Sequence, residues 1–322
     1  MTGIHAADES GRPELLAVAP LMPFLMEALR RHYTVHDRIH MSDPAAFAGV
    51  APRIRGIVAN GEAKVPRELM AQLPRLEIIS VFGVGYDGVD VAAAHERGVP
   101  VTNTPEVLND DVADLTIGLM IAVARHIPQA DRFVRANEWP SGPIALSRKV
   151  SGSRLGVVGM GRIGQAIAQR AAAFRMEIAY TARSPRANVN YTYYPDAVSL
   201  AAVVDFLVVI TPGGAATRGM IDARVLRALG PEGYLVNVAR GSVVDEPVLI
   251  DALRDGVIAG AGLDVFANEP HVPEALRSMP NVVLTPHIGS GTRQTREAMG
   301  QLTFDNLRAH FTGAPLLTPV DA

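Results

Sequence analysis

Short apolar runs alternate with helix-forming runs along the N-terminal third of the chain. The runs predicted to be strands are Glu14–Ala19, Tyr33–Arg38, Ile54–Ala59, Leu76–Val81 and Val99–Thr102. Helices are predicted between these strands, over Phe24–His32 and Arg67–Leu73. Strands that alternate with helices in this way are typical of a parallel, doubly wound sheet.

The same alternation begins again at Leu155 and predicts a second sheet. Its predicted strands are Leu155–Val158, Glu177–Thr181, Leu207–Ile210, Tyr234–Asn237, Ala259–Asp264 and Val282–Leu284. Between the two series, Asp110 and Asp111 indicate the first turn of a long apolar helix, which we expect Pro128 to close. A last helix is predicted over Arg293–Phe311 and is expected to return to the first domain.

These elements predict an α/β protein with two doubly wound parallel-sheet domains. We expect a discontinuous, flavodoxin-like substrate-binding domain made of residues 1–103 and 290–322, and a Rossmann coenzyme domain made of residues 104–289. The cleft between two such domains is a natural place for a ligand, so we expect the active site there.

A glycine-rich turn lies between the first strand and the first helix of the second series. The letters GMGRIG fit the G-x-G-x-x-G pattern. The first glycine permits a tight turn, the second lets a pyrophosphate approach the backbone, and the third lets the helix pack on the strand. We therefore predict a dinucleotide site with the phosphates at the helix N-terminus. The residues assigned to this turn are Gly159, Met160, Gly161, Arg162, Ile163 and Gly164.

The end of the next strand indicates which dinucleotide is bound. An NAD site usually has Asp or Glu there, on the ribose 2′-hydroxyl, whereas this chain has Ala182, Arg183 and Ser184. Arg183 can bind a 2′-phosphate and Ser184 can donate to it, and Arg186 adds positive charge nearby. We therefore favour NADP(H) over NAD(H). The alternative is that both arginines are ordinary solvated cations of a loop.

A second stretch, FGVGYDGVD, also fits the glycine pattern, but we do not assign it to a dinucleotide. Asp87 and Asp90 would repel a pyrophosphate, and the helix predicted after them, over residues 91–97, is very short. We interpret the amides of Val84 and Gly85 as a backbone nest for one small carboxylate. The alternative is a tight turn that binds no ligand.

Composition and charge narrow the classes of function. A net charge of -3 without a basic stripe argues against a nucleic-acid surface. The chain has no cysteine, which excludes disulfides, thiolate metal sites and a cysteine nucleophile, and which fits a cytoplasmic location. The longest apolar helical run, Leu115–Ala124, is too short to span a bilayer, so no membrane partner is expected. No metal site is predicted.

Three polar residues follow successive predicted strands of the second series. Arg240 follows YLVNVA, Glu269 follows AGLDVFAN and His287 follows VVLTP. Ligands bind beyond the carboxyl ends of parallel strands, so these side chains are expected to face one crevice. There Arg240 can bind and polarise a keto acid, His287 can donate a proton, and Glu269 can orient the imidazole.

Each of these residues also has a structural interpretation. Arg240 can cap a strand or pair with Asp245. Glu269 can be a loop acid, and a histidine near a proline is often structural. His271 is the rival for the catalytic role, although its EPHVP context indicates a surface turn.

Together these motifs resemble those of the D-isomer-specific 2-hydroxyacid dehydrogenase family. The resemblance covers essentially the whole chain and is carried by VNVARGSVVDEPVLIDAL, AGLDVFANEP and TPHIGSGT, joined to GMGRIG. It implies that Arg240 binds and polarises the substrate and that Glu269 tunes His287, the proton donor. It also implies that the amides of Val84 and Gly85 hold the substrate carboxylate.

The resemblance further implies cofactor contacts and an assembly. Asp264 is expected to contact the nicotinamide carboxamide, and the Val238 backbone to border the ring. Thr211 and Pro212 are assigned to the same cofactor. Family members are typically homodimers that associate through the coenzyme domain, here through the stretch Asp110–Trp139.

Within the family, a second strand that ends on the letters ARS (residues 182–184) makes this chain similar to NADPH-linked glyoxylate/hydroxypyruvate and hydroxyphenylpyruvate reductases. We expect hydroxypyruvate and glyoxylate to be reduced to D-glycerate and glycolate. Asn60 is expected to contact the substrate's hydroxyl and Glu62 to repel a phosphate, so phosphohydroxypyruvate is expected to be a poor substrate. Hydroxyphenylpyruvate is the leading alternative substrate, because the ring of Trp139 from a partner subunit can line the substrate pocket.

A different class of function stays open, that of a dinucleotide-sensing binding protein with the same fold and a similar triad. We count the absence of added interaction segments against it, and turnover of NADPH with a 2-keto acid separates the two. Phosphoglycerate dehydrogenase is disfavoured by the absence of a regulatory extension after the last helix. Formate or phosphite oxidation is disfavoured by the NADP(H) interpretation.

Overall fold

The computed structural model describes residues 11–321 of the chain. The chain divides into two compact units. The first unit is made of Met1–Val107 with Arg293–Ala322, and the second of Leu108–Thr292. Each unit has one parallel β-sheet with helices packed on it.

Strands and helices alternate along most of the chain. The strands are β1 (Glu14–Ala17), β2 (Thr34–Asp37), β3 (Ile54–Asn60), β4 (Ile78–Phe82), β5 (Val101–Thr102), β6 (Arg154–Val158), β7 (Glu177–Thr181), β8 (Thr192–Tyr194), β9 (Phe206–Val209), β10 (Tyr234–Asn237), β11 (Gly260–Leu263) and β12 (Val282–Leu284). The helices are α1 (Pro23–His32), α2 (Ile39–Ser42), α3 (Pro44–Val50), α4 (Arg67–Ala71), α5 (Val91–Glu96), α6 (Asn109–Ala124), α7 (Ile127–Arg135), α8 (Arg162–Ala173), α9 (Ala197–Ala201), α10 (Ala223–Leu229), α11 (Glu246–Arg254), α12 (Glu274–Ser278) and α13 (Arg293–Phe311).

Within the described residues, the sheet of the first unit has five parallel strands in the order β2-β1-β3-β4-β5. The chain reverses its winding direction after β2, so β1 lies between β2 and β3, which is the flavodoxin-like order. Every residue of β4 is buried, as expected for an inner strand of a parallel sheet with helices on its faces.

The last helix, α13, belongs to the first unit. It packs on β4 and on α1. The Ser80 hydroxyl of β4 donates to the Thr303 carbonyl at 3.4 Å. Gly300 lies where an added Cβ would overlap the ring of Phe24, so a small residue is needed for this close approach of α13 to α1.

The sheet of the second unit has seven parallel strands in the order β12-β11-β10-β9-β6-β7-β8. Six of them follow the Rossmann strand order, and β12 extends the sheet at one end. The order reverses between β6 and β9, and ligands of such sheets bind beyond the carboxyl ends of the strands at this point.

Aspartates begin several helices of the second unit. The Asp222 carboxylate accepts from the backbone N–H of Arg224 at 2.8 Å and so caps α10. Asp196 caps α9 in the same way, through Ser199 N at 2.8 Å. These caps satisfy N–H groups that the first turn of a helix leaves without a backbone partner.

The predicted fold class is confirmed: two parallel-sheet α/β units form the protein. Two details of the prediction differ from the structure. Pro128 does not close the long helix, because α6 ends at Ala124 and Pro128 lies in the first turn of the further helix α7, where its missing N–H costs nothing. The edge strand β8 was not predicted from the sequence: it has only three residues, and none of them is buried.

Within residues 11–321, no helix is both long and apolar enough to cross a membrane.

Candidate functional site

The glycine-rich turn connects β6 to α8, at the carboxyl edge of the second sheet. Gly159 has φ +107°, and an added Cβ would lie 2.6 Å from the Ile210 carbonyl oxygen. An added Cβ on Gly164 would overlap the Gly159 carbonyl, so α8 lies directly against the turn. Backbone conformation or packing within the protein therefore requires both glycines.

Gly161 has a different environment. Its φ is −81°, which any residue adopts, and no heavy atom lies within 4 Å of the position that a Cβ would take. The packing of the described chain therefore does not require a glycine here, whereas a pyrophosphate that approaches the backbone does. The first N–H groups of α8 begin at this point, and no side chain caps them. These features fit a dinucleotide.

The other residues assigned to this turn differ in exposure. Met160 is buried, so only its backbone can face a ligand, while Arg162 is exposed and Ile163 half-buried. At the neighbouring β7, Ala182 is half-buried and Arg183 and Ser184 are exposed. Among residues 11–321, the side chains of Arg183 and Ser184 make no ion pair or hydrogen bond.

The remaining residues assigned to the cofactor lie at the carboxyl ends of other strands. Thr211 and Pro212 follow β9, Val238 follows β10, and Asp264 follows β11. Because all seven strands are parallel, these ends meet at one edge of the sheet. Val238 is buried, so its contribution is limited to its backbone.

The buried Asp264 holds the loop that follows β12. One carboxylate oxygen accepts from the Thr285 hydroxyl at 2.6 Å and from Ile288 N at 2.8 Å, and the other accepts from Gly289 N at 2.8 Å. Burial raises the pKa of Asp264, and these hydrogen bonds oppose the rise only in part. Its carboxylate therefore already has a structural role, beside the predicted contact with the nicotinamide.

His287 lies in this loop and pairs with Glu269. Its Nδ1 is 2.7 Å from Oε2 of Glu269, and Oε1 of the same carboxylate accepts from Phe266 N at 2.8 Å. His287 has φ +53°, a left-handed conformation that costs a non-glycine residue about 1–2 kcal/mol. Its backbone N–H donates to the Asp264 carbonyl at 2.8 Å, and this bond and the contact with Glu269 hold the residue there.

Arg240 lies beyond β10, on a turn that Asn237 fixes. The amide of Asn237 donates to Arg240 O at 3.1 Å, and its oxygen accepts from Ala239 N at 3.1 Å. The Arg240 guanidinium donates to Ala239 O at 2.7 Å. An added Cβ on Gly241 would overlap the Phe266 backbone, so this turn packs directly against the segment that leads to Glu269.

The structure thus brings Arg240, Glu269 and His287 to one edge of one sheet, the edge that carries the glycine-rich turn. His271, the rival histidine, is exposed, and its backbone N–H donates to Asn268 O at 2.8 Å. Asp245 accepts from Val248 N as the cap of α11. The arrangement supplies a cation for a carboxylate and an imidazole paired with an acid.

The predicted carboxylate nest lies in the first unit, in the turn after β4. The Gly83 carbonyl accepts from Thr104 N at 2.9 Å, and the Val84 carbonyl accepts from the Asn103 amide at 2.9 Å. Both peptides are trans, so the N–H groups of Val84 and Gly85 point away from residues 103–104. The two amides are therefore turned to the same side, as an anion nest requires.

Packing explains the rest of this second glycine pattern. An added Cβ on Gly88 would overlap the Ala63 backbone, so this glycine permits a close approach of two chain segments. Asp90 accepts from Ala93 N at 2.9 Å and caps the short helix α5. Neither feature belongs to a pyrophosphate site.

Asn60 lies at the end of β3, next to the nest. The Gly61 backbone is 3.3 Å from the position that a Cβ on Gly83 would take. The Asn60 side-chain oxygen accepts from Glu62 N at 3.1 Å and from Ala63 N at 2.8 Å. Because this oxygen is committed to its own turn, any contact with a substrate hydroxyl falls to the side-chain NH₂.

The sequence did not single out Asn103, Asn237 or Thr285, although each orients a predicted site residue. Asn237 is the last residue of β10, and Asn103 and Thr285 directly follow β5 and β12. Asn237 and Thr285 lie one to three residues before a residue that was singled out, and Asn103 lies two residues before the proline of its loop. A polar residue at such a position was a usable signal, but only the contacts identify what it binds.

Comparison with known proteins identifies the family. The family profile described as "D-isomer specific 2-hydroxyacid dehydrogenase, NAD binding domain" matches residues 117–289, more than half of the chain. The chain belongs to the D-isomer-specific 2-hydroxyacid dehydrogenase family. The resemblance drawn from the sequence motifs is confirmed.

Similar proteins within this family are named reductases. A hydroxyphenylpyruvate reductase of Plectranthus scutellarioides is 48% identical over 309 residues, which are 95% of this chain and 98% of that protein. A 2-ketogluconate reductase of Gluconobacter oxydans is 45% identical over 311 residues, which are 97% of this chain and 99% of that protein.

A solved structure of this family matches almost the whole chain. It is an NADPH-dependent glyoxylate/hydroxypyruvate reductase of Sinorhizobium meliloti in complex with NADP and malonate. The TM-score is 0.91 and the identity 47%, over 96% of this chain and 97% of that one. The protein described here is thus an oxidoreductase of the 2-hydroxyacid dehydrogenase family with an NAD-binding-type domain.

Proposed function

We propose that the protein catalyses the NADPH-dependent reduction of small 2-keto acids to D-2-hydroxy acids, with hydroxypyruvate and glyoxylate as substrates. The 2.7 Å contact between Glu269 and His287, at the sheet edge that carries Arg240 and the glycine-rich turn, carries the proposal. The S. meliloti relative, an NADPH-dependent glyoxylate/hydroxypyruvate reductase, supports it.

The proposed roles follow from the contacts of each side chain. A bound reduced nicotinamide supplies the hydride. Arg240 binds the substrate and polarises its carbonyl, because a guanidinium stabilises charge that develops on oxygen. His287 donates the proton to that oxygen from Nε2, since its Nδ1 contacts Glu269. The Glu269 carboxylate orients the ring and favours its protonated form.

The turn after β4 is proposed to bind the substrate carboxylate. The N–H groups of Val84 and Gly85 point to one side because Asn103 and Thr104 hold the two carbonyls on the other. Asp264 is proposed to contact the nicotinamide carboxamide, with Val238, Thr211 and Pro212 along the cofactor.

NADPH is the proposed cofactor because β7 ends without an acid. A charge-assisted hydrogen bond contributes about 1.5–3 kcal/mol, part of which solvent screens, so NADPH is expected to exceed NADH by about 10- to 100-fold in kcat/KM. Steady-state rates with both cofactors test this. Arg183→Ser is expected to remove most of the preference, and Arg227→Ser, an exposed arginine on α10, to leave it unchanged. Equal use of both cofactors by the unmodified protein would contradict the proposal.

The substrate is tested with a panel of 2-keto acids under NADPH. Hydroxypyruvate and glyoxylate are expected to give the highest kcat/KM, and phosphohydroxypyruvate a low one. Hydroxyphenylpyruvate and 2-ketogluconate are the alternatives that the named relatives favour. A best rate with phosphohydroxypyruvate, or L-glycerate as the product from hydroxypyruvate, overturns the proposed substrate site.

We also propose a homodimer and a cytoplasmic location. Ile127, Val134 and Trp139 are exposed apolar side chains within the stretch Asp110–Trp139, and an interface with a second copy would cover them. Light scattering during gel filtration measures the mass: a monomer contradicts the first proposal. The location rests on the cysteine-free composition, and cell fractionation tests it.

A further inference from the structure

The loop that carries Arg183 and Ser184 is anchored by tyrosines. Arg183, Ser184 and Arg186 are exposed and follow β7. No ion pair between these side chains and residues 11–321 holds the loop in place. By contrast, Arg154 on the neighbouring strand β6 is paired with Asp205 at 2.9 Å.

The first anchor is Tyr180, in the middle of β7. Its side chain is only 1% exposed, and its phenolic oxygen accepts from the backbone N–H of Arg186 at 2.8 Å. A buried tyrosine therefore binds the far end of the loop through the main chain of Arg186. Pro185 directly precedes the anchored residue, and its ring restricts the backbone further.

The second anchor is Tyr193, on the edge strand β8. Tyr193 is the partner of Tyr180 in the parallel register of β7 and β8, and the two rings meet edge to face at 5.5 Å. The Tyr193 hydroxyl donates to the Ala182 carbonyl at 3.4 Å, a longer bond than that of Tyr180. The tyrosine pair thus binds the main chain at both ends of the loop 182–186.

We infer that Tyr180 is a specificity-determining positioning residue, which holds Arg183, Ser184 and Arg186 where they receive a 2′-phosphate. The inference rests on the proposed NADPH preference. Its physical basis is preorganisation: an exposed loop that is already ordered loses less entropy when it binds an anion. The Tyr180 hydroxyl bonds to the loop through the main chain of Arg186, so its effect reaches the ligand through the arginines.

The test is the binding of two cofactor fragments by calorimetry, 2′,5′-ADP and 5′-AMP, which differ only in the 2′-phosphate. Tyr180→Phe keeps the buried ring and removes the acceptor oxygen. We expect it to weaken 2′,5′-ADP by about five- to tenfold, the effect of one lost hydrogen bond, and 5′-AMP by less than about twofold. Tyr193→Phe is expected to weaken 2′,5′-ADP by only about twofold, because its bond is longer.

Tyr234→Phe is the matched control. Tyr234 is a buried tyrosine of the same sheet, 6% exposed and stacked on Phe206 at 5.3 Å. It lies on β10, separated from β7 by β9 and β6. The loss of its hydroxyl is expected to leave the affinities of both fragments unchanged, and thermal melting shows whether all three variants are folded.

The outcomes separate the inference from the proposed function. If the unmodified protein binds 2′,5′-ADP no more tightly than 5′-AMP, the NADPH proposal fails. If it prefers 2′,5′-ADP and Tyr180→Phe keeps the ratio of the two affinities within about twofold, the positioning role is wrong and the NADPH proposal stands. An equal loss for both fragments also overturns the positioning role. A selective loss in Tyr180→Phe, with a smaller one in Tyr193→Phe, supports it.

Discussion

Two hydrogen-bonded contacts define the proposed proton donor. Glu269 holds the Nδ1 atom of His287, and the backbone N–H of His287 donates to the Asp264 carbonyl at 2.8 Å. These bonds hold a left-handed residue that would otherwise relax. The geometry therefore favours His287 over His271 as the catalytic histidine.

His287→Ala is expected to lower kcat for keto acid reduction by about 10²–10⁴, since general acid catalysis typically contributes that factor. The dissociation constant for NADPH is expected to change little, and fluorescence titration measures it. His271→Ala is the control, because His271 is exposed in the turn before α12. A large loss in His271→Ala with normal rates in His287→Ala would reverse the assignment.

Glu269→Gln removes the charge beside the imidazole and keeps the shape of the side chain. Without the carboxylate the protonated imidazole is less favoured, so the high-pH limb of the reduction profile is expected to move to lower pH. At pH values above this limb, kcat of the variant is expected to be lower than that of the unmodified protein by about tenfold or more, the equivalent of one charge-assisted hydrogen bond. A pH profile of kcat checks this: an unchanged limb excludes an action of Glu269 through the ring.

At the scale of elements, the predicted site residues of each unit lie in turns at the carboxyl ends of strands, and neighbouring turns of the same sheet hold one another. Asn103, after β5, holds the turn after β4, and Asp264, after β11, holds the loop after β12. In a parallel sheet such turns are side by side, so one polar side chain can fix the backbone of the next turn.

Asn103→Asp is expected to disturb the carboxylate nest. The aspartate has no N–H to donate to the Val84 carbonyl, and its charge repels that carbonyl, so the Val84–Gly85 peptide loses its fixed orientation. We expect KM for hydroxypyruvate to rise by about tenfold, the equivalent of one hydrogen bond, with a much smaller change in kcat.

Asn281→Asp is the control for this variant. The amide of Asn281 also donates to backbone carbonyls, those of Leu253 and Ala259, but in a part of the second unit that has no site residue. It is expected to lower the melting temperature without raising KM. If both variants raise KM equally, the effect of Asn103 is a general loss of stability.

At the scale of the whole molecule, an ion cluster joins three elements at the amino end of the first sheet. The Glu77 carboxylate, before β4, receives two bonds from Arg55 of β3, at 2.6 and 2.8 Å, and lies 3.4 Å from His310 of α13. The hydrogen bonds from Arg55 lower the pKa of Glu77.

This lowered pKa makes the contribution of Glu77 to stability dependent on pH. The contribution is fully present above the pKa of an unfolded glutamate, about 4.3, and is lost as pH falls through the lower pKa of the folded state. Glu77→Gln is expected to lower the melting temperature by on the order of 2 °C at neutral pH, because a half-exposed pair is worth little. The difference from the unmodified protein is expected to shrink below about pH 4.

Melting curves of both proteins at neutral and acid pH check this. Glu68→Gln, on the exposed face of α4, is expected to leave the melting temperature unchanged at both. A difference that grows at low pH would have the wrong sign for this cluster.

The sequence by itself determined the class of fold and the place of the glycine-rich turn. Buried parallel strands appear as short apolar runs, so most strands were predicted to within two residues, and GMGRIG was recognised by the spacing of its glycines between a strand and a helix. The same signals placed Arg240, Glu269 and His287 after the strands that carry them.

Only the tertiary structure decided which polar groups meet. The contacts of Glu269 with His287, of Asn103 with Val84 and of Tyr180 with Arg186 join residues 18, 19 and 6 positions apart, across turns and strand ends. Their partners are set by strand order and register, which residue patterns within one segment do not encode. The place of Pro128 in the first turn of α7 was likewise decided beyond the local pattern, because a proline can follow the end of one helix or lie in the first turn of the next.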